Sequence, residues 1–320
     1  MKRRRFFLLR LAAASIVAVL ATLTLLAADL WAHHRAERTA GVNRRGYRGP
    51  LVGAAHVGEQ RIVMLGGSTV FGYGVFAREA LPAQLERALR TRGVAASVVN
   101  LGFNSEGAYA FAPAIGDYAW LNPDLVVLYE GYNDLLPELP NRQLVRHGSI
   151  VFRATGYFPI LPLVVREKID ALAANGTSSR VVFGGAARAA DALTRQIGRL
   201  SAAATDAQGQ THSGERPKWA FYCDAVKAAI VAARTAGMRV LVVTQPYISD
   251  SHLQQQDALR AMLKQYEGDA GVAYFDAGHV IDLTDRQLAF DGMHLTPQGN
   301  AIMANALSNV VEKFAFSHAR

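Results

Sequence analysis

From Arg61 onward the sequence alternates short apolar runs with longer amphipathic stretches, and this alternation is the pattern of a parallel sheet covered by helices on both faces. The runs "RIVMLG" (61–66), "ASVVNL" (96–101), "DLVVLY" (124–129), "RVLVVTQ" (239–245) and "GVAYF" (271–275) read as strands. Helical periodicity predicts helices over 78–92, 107–120, 218–237, 252–267 and 297–315. The expected fold is α/β, a three-layer α/β/α sandwich around a parallel sheet of about five strands. Between the third and fourth strands the chain is far longer than one crossover helix requires, so an insertion is expected over about residues 136–216. Its first part, "IVFRATGYFPILPLVVREKID", is apolar with spaced prolines, and its later part reads as a polar helix running into a flexible loop. A lid or acyl-binding wall and a plain packing element both fit it.

The N-terminus opens on a basic stretch, followed by 18 residues from Leu11 to Ala28 without a charge. That length is at the lower bound for crossing a bilayer and exceeds a usual signal-peptide core, so an uncleaved signal anchor is expected rather than a cleaved signal. Five cations before the span (Lys2, Arg3, Arg4, Arg5, Arg10) face five after it (Arg35, Arg38, Arg44, Arg45, Arg48), and the positive-inside count ties. The very short N-terminal tail, typical of export signals, breaks the tie. Residues 1–32 are read as a cytoplasmic basic tail and transmembrane anchor, 33–58 as a juxtamembrane linker, and 59–318 as the globular domain outside the cytoplasm.

The formal charge of +8 suggests a nucleic-acid binder until it is located. Residues 1–61 hold 11 of the 34 Lys/Arg and 3 of the 26 Asp/Glu, which leaves the body of the protein neutral. Phosphate-backbone binding needs clustered cations, so no nucleic-acid partner is expected. The single cysteine, Cys223, lies in a helical pattern and reads as a packing residue. With no Cys/His spacing that would hold zinc, neither a metal nor a cofactor is predicted.

In open α/β sheets ligands sit beyond the carboxyl ends of the strands. Three such ends carry small or amide residues: "GGS" after the first strand, "NLGFNSEG" after the second and "EGYND" after the third. A fourth block, "FDGMHLTPQGN", lies near the C-terminus. Acyl transfer through a serine requires a nucleophile, a base, a group that fixes the base's tautomer, and donors for the oxyanion. Ser68 is the candidate nucleophile and His294 the base, set just before a plausible helix start at Thr296-Pro297. Asp291, three residues before His294, is the candidate orienting acid. The Ser68 N–H, the Gly102 N–H and the Asn133 side-chain amide are the candidate oxyanion donors.

These blocks resemble the SGNH/GDSL hydrolases, a family named for a Ser, a Gly, an Asn and a His in four separated blocks. The matches are Ser68 in "GGST", Gly102 in "NLG", Asn133 in "GYND" and His294 in "DGMH". The resemblance implies a flavodoxin-like sandwich over about residues 60–317 and metal-free ester hydrolysis, with Ser68, Asp291 and His294 as the triad. "NRRGYRGP" together with "LGGSTVFGYGV" is similar to the exported or membrane-tethered bacterial branch. Gly67 and Thr69 stand where the family name has Asp and Leu, which leaves the subfamily and its substrate open.

Each block also has a plain reading. Gly-Gly-Ser suits a tight turn, Asn133-Asp134 suits a cap, and Gly102 suits a close turn. Asp134 reads as a loop-fixing residue. His279, with Asp276 nearby, is the rival base; His33, His34, His56, His147, His212, His252 and His318 read as solvated or structural. The expected function is a serine esterase acting on a small-molecule, polysaccharide or lipid ester. The same acyl-enzyme passed to a sugar hydroxyl, or a non-catalytic flavodoxin-like binding module, are the alternatives.

Overall fold

The computed structural model describes residues 2–129, 131–135, 149–165, 169 and 217–316. In chain order the elements are α1 (Lys2–Ala40), β1 (Gln60–Gly66), α2 (Ser68–Phe71), α3 (Leu81–Thr91), β2 (Ala96–Asn100), α4 (Phe111–Asp117), β3 (Leu125–Tyr129) and α5 (Ile150–Thr155). They continue with α6 (Ala220–Thr235), β4 (Arg239–Val243), α7 (Asp250–Leu263), β5 (Val272–Phe275) and α8 (Pro297–Val311). All five predicted strands form, with ends shifted by at most two residues.

The strands make one parallel sheet in the order β2-β1-β3-β4-β5. Val63 of β1 stands beside Val99 of β2 on one side and Val126 of β3 on the other. Parallel strands covered on both faces need apolar side chains in both directions, which is why each reads as a continuous apolar run. Alternate residues then enter different cores. Ile62, Met64, Leu125, Val127, Leu241 and Val243 pack under α3 and α8. Val63, Leu65, Val126, Leu128, Val240 and Val242 pack under α4, α6 and part of α7. In α3 the i, i+4 series Leu81, Leu85, Leu89 is fully buried, each side chain worth roughly 1.5–3 kcal/mol.

Helix α1 is long and apolar enough to cross a membrane, and its apolar window is fully exposed. Beyond that window, several residues within and just before the stretch expected as a linker over 33–58 are buried. Asp29, His33, Ala36 and Ala40 of α1 are buried, as are Val42, Asn43, Tyr47 and Arg48 after it. The Asp29 carboxylate accepts from Leu161 N at 2.6 Å and from the Tyr157 hydroxyl at 2.5 Å, and His33 Nε2 meets the Phe158 carbonyl. Several polar residues of this stretch find main-chain partners on the domain, while His34, Arg35, Glu37, Arg38, Thr39, Arg44 and most of 50–58 stay exposed. Of the expected insertion, residues 149–165 supply Phe152, Phe158, Ile160 and Leu163 to the larger core. Its polar later part lies outside the described residues.

At the end of β1 a Cβ placed on Gly66 would lie 2.3 Å from the Tyr129 carbonyl oxygen and 2.4 Å from Val70 Cγ2. Gly66→Ala should therefore destabilise the chain by about 1–3 kcal/mol, whereas Gly116→Ala, in α4 with open space around it, should be neutral or stabilising. Thermal unfolding of the two full-length variants reads this directly, and equal melting temperatures would contradict the close approach of β1 and β3.

Candidate active site

The order β2-β1-β3 makes the carboxyl ends of β1 and β3 the switch point of the sheet, because the chain leaves β1 for β2 on one side and later returns to β3 on the other. Two residues past β1, Ser68 opens the one-turn helix α2, whose Val70 and Phe71 point into the core. Gly72 ends that turn at φ 82°, a left-handed conformation in which glycine carries no Cβ penalty. Ser68 is thereby held at a sharp strand-to-helix corner with its backbone N–H at a helix start, where no intrahelical acceptor exists.

His294 arrives from the opposite end of the sequence. Thr296 caps α8 by accepting from Gly299 N at 3.2 Å, and Pro297 occupies the first helical turn. The preceding loop closes on itself through Phe290 N to His294 O, 3.1 Å. Asp291 Oδ1 accepts from the backbone N–H groups of Met293 (3.0 Å) and His294 (2.7 Å). Its other oxygen, Oδ2, stands 2.9 Å from His294 Nδ1, and His294 Nε2 stands 2.7 Å from Ser68 Oγ. An ionised carboxylate only accepts, so Nδ1 carries the proton and Nε2 accepts from the Ser68 hydroxyl.

The site is dry on the His294 side: its side chain is 1% exposed and that of Asp291 8%. Burial by itself raises the Asp291 pKa, but the hydrogen bond and charge interaction with His294 and the two backbone N–H donors outweigh it and hold the carboxyl below its usual range. Two aromatic rings flank the imidazole, Tyr73 with its centroid at 4.9 Å and Phe290 stacked at 6.0 Å. Burial, followed by the Asp291 charge, pushes the Tyr73 phenol up to about 12, so it stays neutral. Neither ring stood out in the sequence, although Tyr73 lies in the same glycine-rich run as Ser68.

The loop after β3 carries Asn133, whose Nδ2 donates to the Glu106 carbonyl at 2.8 Å. Asp134 is buried and accepts from Ala108 N at 2.9 Å, tying this loop to the one after β2 as its loop-fixing reading expected. Gly102, at the entry to the loop after β2, is held from two sides. Its N–H donates to Asn100 Oδ1 at 3.0 Å, and a Cβ there would lie 2.4 Å from Phe71 N. Glycine is required at 102 because α2 packs directly on that backbone, a tertiary contact that the sequence does not display. The sequence reading also missed Gln245. This wholly buried amide donates to Thr69 Oγ1 at 2.8 Å and accepts from Tyr132 N at 3.0 Å, linking the residue after Ser68 to the residue before Asn133.

The rival pair does not assemble. The Asp276 carboxylate is engaged by Arg260 Nη1 at 2.8 Å, the Tyr247 hydroxyl at 3.0 Å and Gly278 N at 2.9 Å, while His279 packs edge-on against the Tyr247 ring. His252 is buried between the Tyr132 and Tyr247 rings, and burial lowers its pKa to about 3, which keeps it neutral. Cys223 is half-buried on α6, and burial, followed by the Asp224 charge, pushes its thiol up to about 11. Among the described residues, no group of three or more His, Cys, Asp or Glu stands together to hold a metal. A cavity of about 890 Å3 has Arg38, Arg48, Tyr73, Phe76 and Pro297 among its walls, and Ser68 does not line it.

No curated protein matches the sequence. Solved structures that it resembles include the family 3 carbohydrate esterase of Clostridium thermocellum, 13% identical over 80% of this chain and 99% of that one, with a TM-score of 0.43. A GDSL-like lipase from Bacteroides thetaiotaomicron VPI-5482 is 13% identical over 82% and 92% of the two chains (TM-score 0.44). A psychrotrophic esterase from a Pseudoalteromonas species is 11% identical over 80% and 98% (TM-score 0.43). The sequence itself matches the model of the GDSL-like lipase/acylhydrolase family over residues 64–302, most of its length. The chain therefore belongs to the GDSL-like lipase/acylhydrolase family and, with it, to the ester-cleaving hydrolases.

Proposed function

We propose that this chain cleaves carboxylic esters through an acyl-enzyme on Ser68, with His294 as general base and acid and Asp291 as the group that orients it. The observation that carries this reading is the continuous line from Ser68 Oγ to His294 Nε2 at 2.7 Å and from His294 Nδ1 to Asp291 Oδ2 at 2.9 Å. As Oγ attacks the ester carbonyl, its proton passes to Nε2, and the ionised Asp291 stabilises the imidazolium that forms. The proton then leaves with the alcohol, and water repeats the sequence to release the acid. The Ser68 N–H and the Asn133 amide meet the developing oxyanion, each worth about 2.7–4 kcal/mol by analogy with other donors of this kind. The Gly102 N–H, which donates to Asn100 Oδ1 at 3.0 Å, is the third candidate donor.

The substrate class is a carboxylic ester of a small molecule, a polysaccharide or a lipid. The N-terminal span anchors the chain with its short basic tail in the cytoplasm and the catalytic domain outside it. The packing of Asp29, His33 and Arg48 argues that this domain begins at the end of the span and not at residue 59.

Full-length Ser68→Ala should lose nearly all hydrolysis of p-nitrophenyl acetate and all labelling by a fluorophosphonate probe. Retained activity or labelling would reject the assignment. Asp291→Asn should keep the fold and reduce kcat by about 10^3–10^4-fold, because the wrong imidazole tautomer is then favoured. The native pKa of Asp291 lies below its unfolded value, so its stabilisation is complete above about pH 4 and is lost only as the pH falls through the native pKa. Denaturant titrations should accordingly show the wild type more stable than Asp291→Asn at neutral pH, with the gap closing only in acid.

A further inference from the structure

The motif "NRRGYRGP" (43–50) precedes the stretch that matches the family, and the reaction as drawn does not use it. Its conformation is built around Asn43, whose N–H donates to Tyr47 O (3.0 Å) and whose carbonyl accepts from Gly46 N (2.9 Å). The Asn43 side chain accepts from Arg45 N and donates to Gly49 O, both at 2.9 Å. Gly46 sits at φ 79°, where a Cβ would lie 2.6 Å from the Phe158 ring. This turn directs Arg48 inward, and its backbone N–H donates to Asn100 O at 3.1 Å.

Arg48 is 7% exposed, and among the described residues no carboxylate lies within ion-pair distance of it. Burial, partly offset by the more distant Glu79, pulls its pKa down to about 10, which leaves it charged at neutral pH. Its donors all go to carbonyl oxygens. Nε donates to Ala40 O at 2.8 Å, Nη1 to Gly72 O at 2.5 Å and to Phe71 O, and Nη2 to Val75 O at 2.6 Å. The guanidinium also stacks over the Phe71 ring, 4.4 Å from its centroid. Ala40 is the last residue of α1, and Phe71 and Gly72 end α2, the turn that begins with Ser68. Helix C-termini leave carbonyls unpartnered and carry partial negative charge, so a single cation closes both the membrane-anchor helix and the helix of the serine. Asn100 shares the task, donating from Nδ2 to Val70 O at 2.9 Å.

We propose that Arg48 is a positioning residue for Ser68, through which the end of the anchor helix sets the angle at which the hydroxyl meets His294. The proposal rests on the reading of Ser68 as nucleophile. A buried cation is expensive where packing alone is needed, since an apolar side chain of the same volume serves as well or better. Here the planar fork reaches four carbonyls from two segments, Ala40 and 71–75, which a lysine ammonium cannot span.

The test uses the full-length chain in detergent micelles, as wild type, Arg48→Lys and Arg48→Ala. Arg48→Lys should remain folded, with kcat for p-nitrophenyl acetate reduced about 10- to 100-fold, KM within about twofold, and fluorophosphonate labelling slowed in proportion. Arg48→Ala should lose more, and guanidinium chloride below denaturing concentration should restore part of its kcat. Should Arg48→Ala fail to fold, Arg48→Lys decides. A labelled wild type with equally fast labelling and unchanged kcat in Arg48→Lys would overturn the role of Arg48 alone. An unlabelled wild type would overturn the Ser68 reading and this inference with it.

Discussion

The contact on which the rest of this structure depends is the parallel pairing of β1 with β3. Gly66 stands opposite Tyr129 at the end of that pairing, and only the absence of a side chain at 66 lets the two backbones and α2 converge. Both strands end at the same edge of the sheet, while α3, after β1, and α6, between β3 and β4, cover opposite faces. The loops that follow must diverge, and the crevice between them is where Ser68 and Asn133 stand. His294 enters from the loop before α8, which shares a face with α3, so that the imidazole is carried by the packing of the sandwich itself.

Polar groups buried around this crevice hold its loops more tightly than backbone contacts alone. Gln245 fastens Thr69 to Tyr132, Gln255 of α7 donates to Gly131 O at 3.1 Å, and the Tyr132 hydroxyl donates to the Pro246 carbonyl. A satisfied polar network in a low-dielectric interior is stiff, and stiffness is what makes fixed dipoles effective against a developing charge. His252, neutral between two tyrosine rings, completes the floor of this region without adding a charge to it.

The segment that follows the apolar stretch of α1 packs on the same body. Asp29, His33 and Arg48 each satisfy main-chain groups of the domain, so the helix that carries the apolar span runs without a break into the packed body. Residues 50–58, between that packed stretch and β1, are largely exposed.

The strands were legible because a doubly covered parallel strand has to be apolar on both sides, and that requirement is written into "RIVML" and "LVVLY" themselves. The juxtaposition of Ser68, His294 and Asp291 was legible for a related reason: each lies within a few residues of a strand end or a helix start, and the order of such ends along an α/β chain dictates which of them share an edge. The packing reason for a glycine at 102 was not legible, because a glycine near a ligand and a glycine under a helix look alike in one dimension; the Phe71 backbone 2.4 Å from its missing Cβ supplies it. Gln245 carried no signal, and Arg48 and Tyr73 only that of the motifs they lie in, since their partners are carbonyls, a hydroxyl and a ring brought close only by folding. The sequence alone thus determined the sheet and the residues at its rim, through local patterns of burial. Which polar side chains brace that rim was decided by tertiary structure, because a hydrogen bond between distant segments leaves no periodicity behind.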